Sequence, residues 1–77
     1  MQDEFREGLA EILDVEPGEV EPGLELDEAV WDSLAIVSVI ALIDEVYNET
    51  VSADALSDCQ TVADIERIVA KRRGEAA

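Results

Sequence analysis

Few residues of this chain offer a nucleophile. Ser33 stands between Asp32 and Leu34, where a proline- and glycine-bearing stretch gives way to a long apolar run, and the one thiol is Cys59. A serine at the start of a helix exposes its hydroxyl beside backbone N–H groups that have no partner within the helix. The same place favours a negatively charged group, because the helix dipole is positive there. Histidine is absent, which excludes Ser-His-Asp and Cys-His catalysis and histidine-ligated zinc. A single cysteine makes neither an internal disulfide nor a cysteine-rich metal site. Carboxylates are plentiful, but no nucleophile–base pair accompanies them. The acids of residues 14–28 do not follow the Asp-x-Asp-x-Asp-Gly spacing of a calcium loop, so no metal site is assigned. Taken by itself, Ser33 reads first as a plain helix cap. Asp32 is an equally good cap, however, and leaves the Ser33 hydroxyl free.

The other polar and aromatic residues have structural readings. Ser38 is expected to bond back to a carbonyl within a helix, and Ser52 and Ser57 to act as local caps. Trp31 is expected to anchor a loop to the core, with a partner contact as its second reading. Tyr47 is expected to pack with its hydroxyl reaching water. Cys59 reads as a small buried apolar residue. Lys71-Arg72-Arg73 is too short for a nucleic-acid patch and suits a helix C-terminus. Asn48-Glu49-Thr50 has the form of a glycosylation sequon, which carries no meaning without a secretory signal.

Positioning Ser33 requires a fold, and the chain has room for one small domain: 77 residues, 48% of them hydrophobic. That share is too high for a disordered acidic tail. Twenty acids against five bases give a net charge of −15. Residues 1–32 carry −11, residues 33–60 carry −5 with no base at all, and residues 61–77 carry +1. Such a balance opposes nucleic acid and anionic lipid and favours partners with basic surfaces. No apolar run approaches the length of a membrane span, and the acidic N-terminus does not read as a signal or transit peptide. The expectation is a cytoplasmic monomer.

The periodicity predicts helices and no strands. Phe5, Leu9, Ile12 and Leu13 share one helical stripe, with Asp3 as a candidate cap and a stop near Asp14 or Val15 before Glu16-Pro17-Gly18. Residues 15–32 hold two Pro-Gly pairs and form a long loop. Val15, Val20, Leu24, Leu26 and Val30 are spaced to pin it in order without regular structure. Ser33 to Tyr47 is nearly all apolar and predicts a helix buried on most faces, ended by Asn48. Within it Val37, Ile40 and Ile43 are read as one inward stripe. A short turn of helix follows around Ala55 and Leu56. Thr61-Val62-Ala63-Asp64 has the capping-box pattern with Asp for Glu, opening a last helix with Ile65, Ile68 and Val69 inward. The core is expected over residues 4–73, with Gly74 to Ala77 frayed.

With this layout in place, the chain resembles the acyl carrier protein family, including its peptidyl and D-alanyl carrier domains. The resemblance rests on Leu13-Asp14-Val15, Trp31-Asp32-Ser33-Leu34, Ile43-Asp44-Glu45 with Tyr47, and Thr61-Val62-Ala63-Asp64-Ile65. It spans about Phe5 to Ala70. It implies an all-α, four-helix carrier with three longer helices, one short one and a long ordered loop between the first two. It further implies that a phosphopantetheinyl transferase moves 4'-phosphopantetheine from coenzyme A onto Ser33. The arm's thiol then holds acyl or aminoacyl groups as thioesters, and the carrier catalyses nothing. Asp32 would engage the transferase and its metal, and Leu34 would be the apolar contact after the attachment point. Partners would be acyl- or aminoacyl-activating ligases and acyltransferases. They would meet Trp31, Ile36 and Val37 near the arm and the acids Asp44, Glu45, Asp54 and Asp58. A non-covalent acidic docking domain is the alternative.

Two departures from the family stand out. The loop is about one residue shorter than the commonest pattern. Ala35, Ser38 and Ala41 stand where fatty-acid carriers present acids on the outward face of the second helix, which points to a specialised pathway.

Overall fold

The first helix, α1 (Asp3–Leu13), turns Phe5, Leu9, Ala10 and Leu13 inward, while Ile12 is half-buried at the edge of the stripe. These features belong to a computed structural model that describes residues 3–74. Asp3 lies inside the first turn, where a carboxylate suits the dipole. Asp3 is thus a first-turn residue and not the cap expected of it. The helix stops where its sequence says it should. Asp14 adopts φ +58°, its N–H reaches Glu11 O at 3.3 Å, and the Val15 N–H reaches Ala10 O at 2.9 Å. This pair of bonds is a Schellman closure made with aspartate instead of glycine.

The loop that follows is ordered. It holds one element that the sequence reading leaves out, a single 3₁₀ turn at Pro17–Glu19 with proline in its first turn. Val20 and Leu26 are buried, and Val15, Leu24 and Val30 pack against the core. The backbone is pinned as well. The Leu26 N–H donates to Gln60 O at 2.8 Å, Val62 N–H to Leu24 O at 3.0 Å, and Ala63 N–H to Pro22 O at 3.0 Å. The result is one isolated antiparallel bridge, Glu25 with Thr61. No β-strand forms among the described residues.

Helix α2 (Ser33–Tyr47) has the predicted limits and ends on Asn48 at φ +56°, whose N–H returns to Asp44 O at 2.9 Å. Its inner face differs from the expectation. The buried residues are Ala35, Val39 and Ile43, whereas Val37 is 59% exposed and Ile40 half-buried. Helical geometry gives the reason: six residues turn a helix about 120° short of two full turns, so Val37 and Ile43 cannot share a narrow face. Nor is α2 buried on most faces, since Leu34, Val37 and Ala41 form an outward apolar strip. Ala35 is buried and Ser38 half-buried, so neither stands on the outward face the sequence reading gave them. The Ser38 hydroxyl makes no bond back to a carbonyl. Where α1 passes α2, Gly8 faces Leu42; a Cβ there would stand 2.5 Å from Leu42 Cδ1, so the glycine permits the close approach.

Ser52 caps α3 (Ala53–Ser57) by accepting the Ala55 N–H at 3.1 Å, and Ser57 Oγ donates to Asp54 O at 2.9 Å. Helix α4 (Val62–Arg72) opens on the Asp64 carboxylate, which accepts the Gln60 and Thr61 N–H groups and takes the Arg67 guanidinium at 2.8 Å. The Gln60 and Thr61 amides, helped by Arg67, hold the Asp64 carboxyl below the usual carboxylate range. Its contribution to stability is therefore present above that range and lost as pH falls through the lowered value. The far end of α4 returns to α2. Tyr47 packs edge-on against Phe5 with centroids 5.2 Å apart, and the Arg73 guanidinium sits 5.0 Å from the Tyr47 ring centre.

The four helices enclose one core whose fully buried side chains are Phe5, Leu9, Val39, Ile43, Leu56, Val62 and Ile65. Among the described residues no acid or base is buried with them, so their charge is carried on exposed and half-buried side chains. Repulsion among those carboxylates opposes the compact state. Raising NaCl to 0.1 M, where screening acts over about 10 Å, should raise the melting temperature, and Mg²⁺ or Ca²⁺ should raise it further. A melting temperature indifferent to salt would show that the carboxylates are already well spaced.

Candidate functional site at the loop–α2 junction

The last residues of the loop prepare the start of α2. The Asp27 carboxylate accepts the Ala29 N–H at 3.0 Å, and the Asp27 carbonyl accepts the N–H groups of Val30 and Trp31 at 2.9 and 2.7 Å. This is a tight turn closed by a short side chain, the usual use of aspartate in turns. The Trp31 ring packs against the core, and its Nε1–H donates to Leu56 O at 3.0 Å. The anchoring role expected of Trp31 is thus present.

Asp32 follows in extended backbone and caps α2, its Oδ1 accepting the Ala35 N–H at 2.9 Å, while its carbonyl accepts the Ile36 N–H at 3.0 Å. Ser33 is therefore the first helical residue and is not needed as a cap. It is exposed, and among the described residues none exchanges a hydrogen bond with its hydroxyl. The backbone N–H groups of Ser33 and Leu34 lie in the first turn, where the helix provides no acceptor. An anion attached at Ser33 would meet those two donors at the positive end of α2. Leu34 is 74% exposed, and a shallow hollow lined by Ile12, Val30, Ala35 and Ser38 opens beside Asp32 and Leu34.

The other serines are differently placed. Ser52 and Ser57 are engaged in the α3 bonds described above, and Ser38 is half-buried beside α1. Cys59 is buried, with Sγ 3.6 Å from Ala55 O. Burial, then the Asp64 and Asp58 charges, push its thiol up to about 11.

The expected partner residues do not form one cluster. Leu34 and Val37 stand together on the outer strip of α2, whereas Ile36 is half-buried against the core. Asp44 and Glu45 are exposed near the other end of α2, eleven and twelve residues from Ser33, which is about 16–18 Å along the helix. Glu45 borders a groove between α1 and α2, and Asp58 borders a different one between α3 and α4. Asp54 is exposed in α3. The bond from Trp31 to Leu56 was not legible in the sequence, because 25 residues separate its ends and neither residue type signals the other.

A family model for the phosphopantetheine attachment site matches residues 3–69. The chain belongs to that family. It is a carrier domain that bears its cargo on 4'-phosphopantetheine, and the match covers nearly all of the described fold. Domains of this phosphopantetheine-attachment family are generally carriers served by modifying and synthetic enzymes, not enzymes themselves. No curated protein and no solved structure gives a significant match. The resemblance drawn from the sequence is thereby confirmed at the level of family, cofactor and helical fold. None of the described helices is long and apolar enough to cross a membrane.

Proposed function

We propose that Ser33 is the attachment point and that the chain is an acyl or aminoacyl carrier of a specialised biosynthetic pathway. The observation that supports the first part is a contrast among the chain's serines. Ser33 alone joins an exposed hydroxyl free of hydrogen bonds to the start of a long helix. Loading is a phosphoryl transfer that a partner transferase catalyses. Ser33 Oγ forms a bond to the pantetheine-side phosphorus of coenzyme A, the bond from that phosphorus to the bridging oxygen breaks, and adenosine 3',5'-bisphosphate leaves. The serine proton passes to a base of the transferase. Asp32 keeps one carboxylate oxygen on the Ala35 N–H, which leaves the other to face the transferase. Once bound, the arm supplies a thiol that holds cargo as a thioester. The chain's own residues would present that arm: the N–H groups of Ser33 and Leu34 at the start of α2 would receive its phosphate, and Leu34 and Val37 would offer apolar contact beside it. Incubation with coenzyme A and a transferase, followed by fragmentation mass spectrometry, should place one addition on Ser33. An addition on Ser38, Ser52 or Ser57 would overturn the assignment.

The buried thiol makes loading easy to read. With Cys59 buried and its pKa at about 11, thiolate is scarce at neutral pH. Native protein without the arm should react slowly with a disulfide reagent, and the loaded form should show one fast thiol per chain. A fast thiol before loading would show that Cys59 is accessible after all.

The specialised-pathway part rests on the outer strip of α2. From Ser33 the exposed positions are Leu34, Val37 and Ala41, and the first acid is Asp44. Charge complementarity sets association rate and excludes wrong partners, so enzymes that dock through basic residues near the arm find no counter-charge on this strip. A fatty-acid ketosynthase should therefore accept the loaded protein poorly, and a dedicated ligase or transferase should load it well. Ketosynthase turnover equal to that of an authentic fatty-acid carrier would contradict this.

A further inference from the structure

We propose that Trp31 is a positioning residue that fastens α3 to the attachment junction and holds Ser33 in the geometry from which it is modified. The inference rests on the reading of Ser33 given above. Trp31 is fixed twice. Its backbone N–H is held by Asp27 O at 2.7 Å, and its indole N–H by Leu56 O at 3.0 Å. The acceptor lies in the last turn of α3, where helix carbonyls have no intrahelical donor. The Cys59 N–H, at 3.1 Å, shares it.

Helix α3 has five residues, too few to persist without tertiary contacts. It is held by the burial of Leu56, by its Ser52 cap and by this indole. On the other side, Trp31 is followed at once by Asp32, the cap of α2, and then by Ser33. Two residues extend no more than about 7 Å, so a displacement of α3 that carries the indole with it reaches the cap and the hydroxyl. Side chain, cap and nucleophile thus form one chain of fixed groups: Leu56 O, Trp31 Nε1, Asp32 Oδ1, Ala35 N–H, with Ser33 between the last two elements. Small displacements of a reacting group are costly to rate.

Three roles for Trp31 make different predictions. A packing anchor changes stability alone. A docking contact changes the KM of the transferase for the carrier. A positioning residue changes kcat, and loosens α3 and the junction together. The chain has one tryptophan, so growth with benzothienylalanine replaces Trp31 alone, keeping the ring shape and removing the N–H donor. Trp31→Phe removes the donor genetically. Both proteins are assayed well below their melting temperatures, with coenzyme A and a transferase. We expect kcat to fall about threefold or more, which at about 1.4 kcal/mol per tenfold is about 0.6 kcal/mol or more, while KM stays within about twofold. Amide hydrogen exchange should quicken at Leu56 and Cys59 and also at Ala35 and Ile36. Unchanged kcat in both variants overturns the proposal, as does a rise in KM alone or faster exchange confined to α3. A wild type modified on Ser33 with unchanged variant kinetics removes the positioning role and leaves the attachment reading standing. A wild type that takes no arm removes both.

Discussion

Ile43→Ala should lower the free energy of unfolding by about 2–5 kcal/mol, while Val37→Ala should change it by no more than about 0.5 kcal/mol. Both residues are β-branched, both lie in α2, and six positions separate them. They differ in surroundings. Ile43 has no exposed surface and sits among the other fully buried side chains, so truncation leaves a cavity that the neighbouring helices fill only in part. Val37 is 59% exposed and loses little by losing two methyl groups. For a small domain the first effect is a large share of total stability. Urea denaturation of the two variants beside wild type checks it. Equal shifts in midpoint would mean that the inner face of α2 is not the one formed by Ala35, Val39 and Ile43.

That face is also where sequence and structure part company. The ends of α2 were legible because they are set by local chemistry: Asp32 as a cap at one end and Asn48 in a left-handed conformation at the other. The same holds for the stop of α1 before Pro17 and for the Thr61–Asp64 start of α4. The inward direction of α2 was not legible, because nearly every position from Leu34 to Val46 is apolar and the pattern has no polar side to exclude. Only contact with α1, α3 and α4 decides it. The Glu25–Thr61 bridge and the Trp31–Leu56 bond escape for a related reason, since both join segments far apart in the chain. Among the site residues, Asp32, Ser33 and Leu34 were legible together as a helix entry. What the sequence left open was whether Ser33 would spend its hydroxyl on the cap. The structure gives that task to Asp32.

The consequence is that Ser33→Ala should fold. Asp32 retains the Ala35 N–H, the serine hydroxyl has no bond to lose, and alanine is the better helix former. Asp32→Ala, by contrast, removes the cap and should cost about 1 kcal/mol. Ser33→Ala is therefore a clean variant: its failure to be loaded cannot be put down to unfolding, which circular dichroism will show. Chemically the loss is complete, because alanine has no oxygen to bond to phosphorus, and the remaining serines are engaged in α3 or half-buried beside α1.

If one phosphopantetheine arm is attached through Ser33, the intact mass of the protein after exposure to coenzyme A and a transferase will show it. Wild type should gain the mass of one phosphopantetheine, and folded Ser33→Ala should gain none. A wild type that stays unmodified with several transferases, or a Ser33→Ala protein that still takes up the arm, would contradict it.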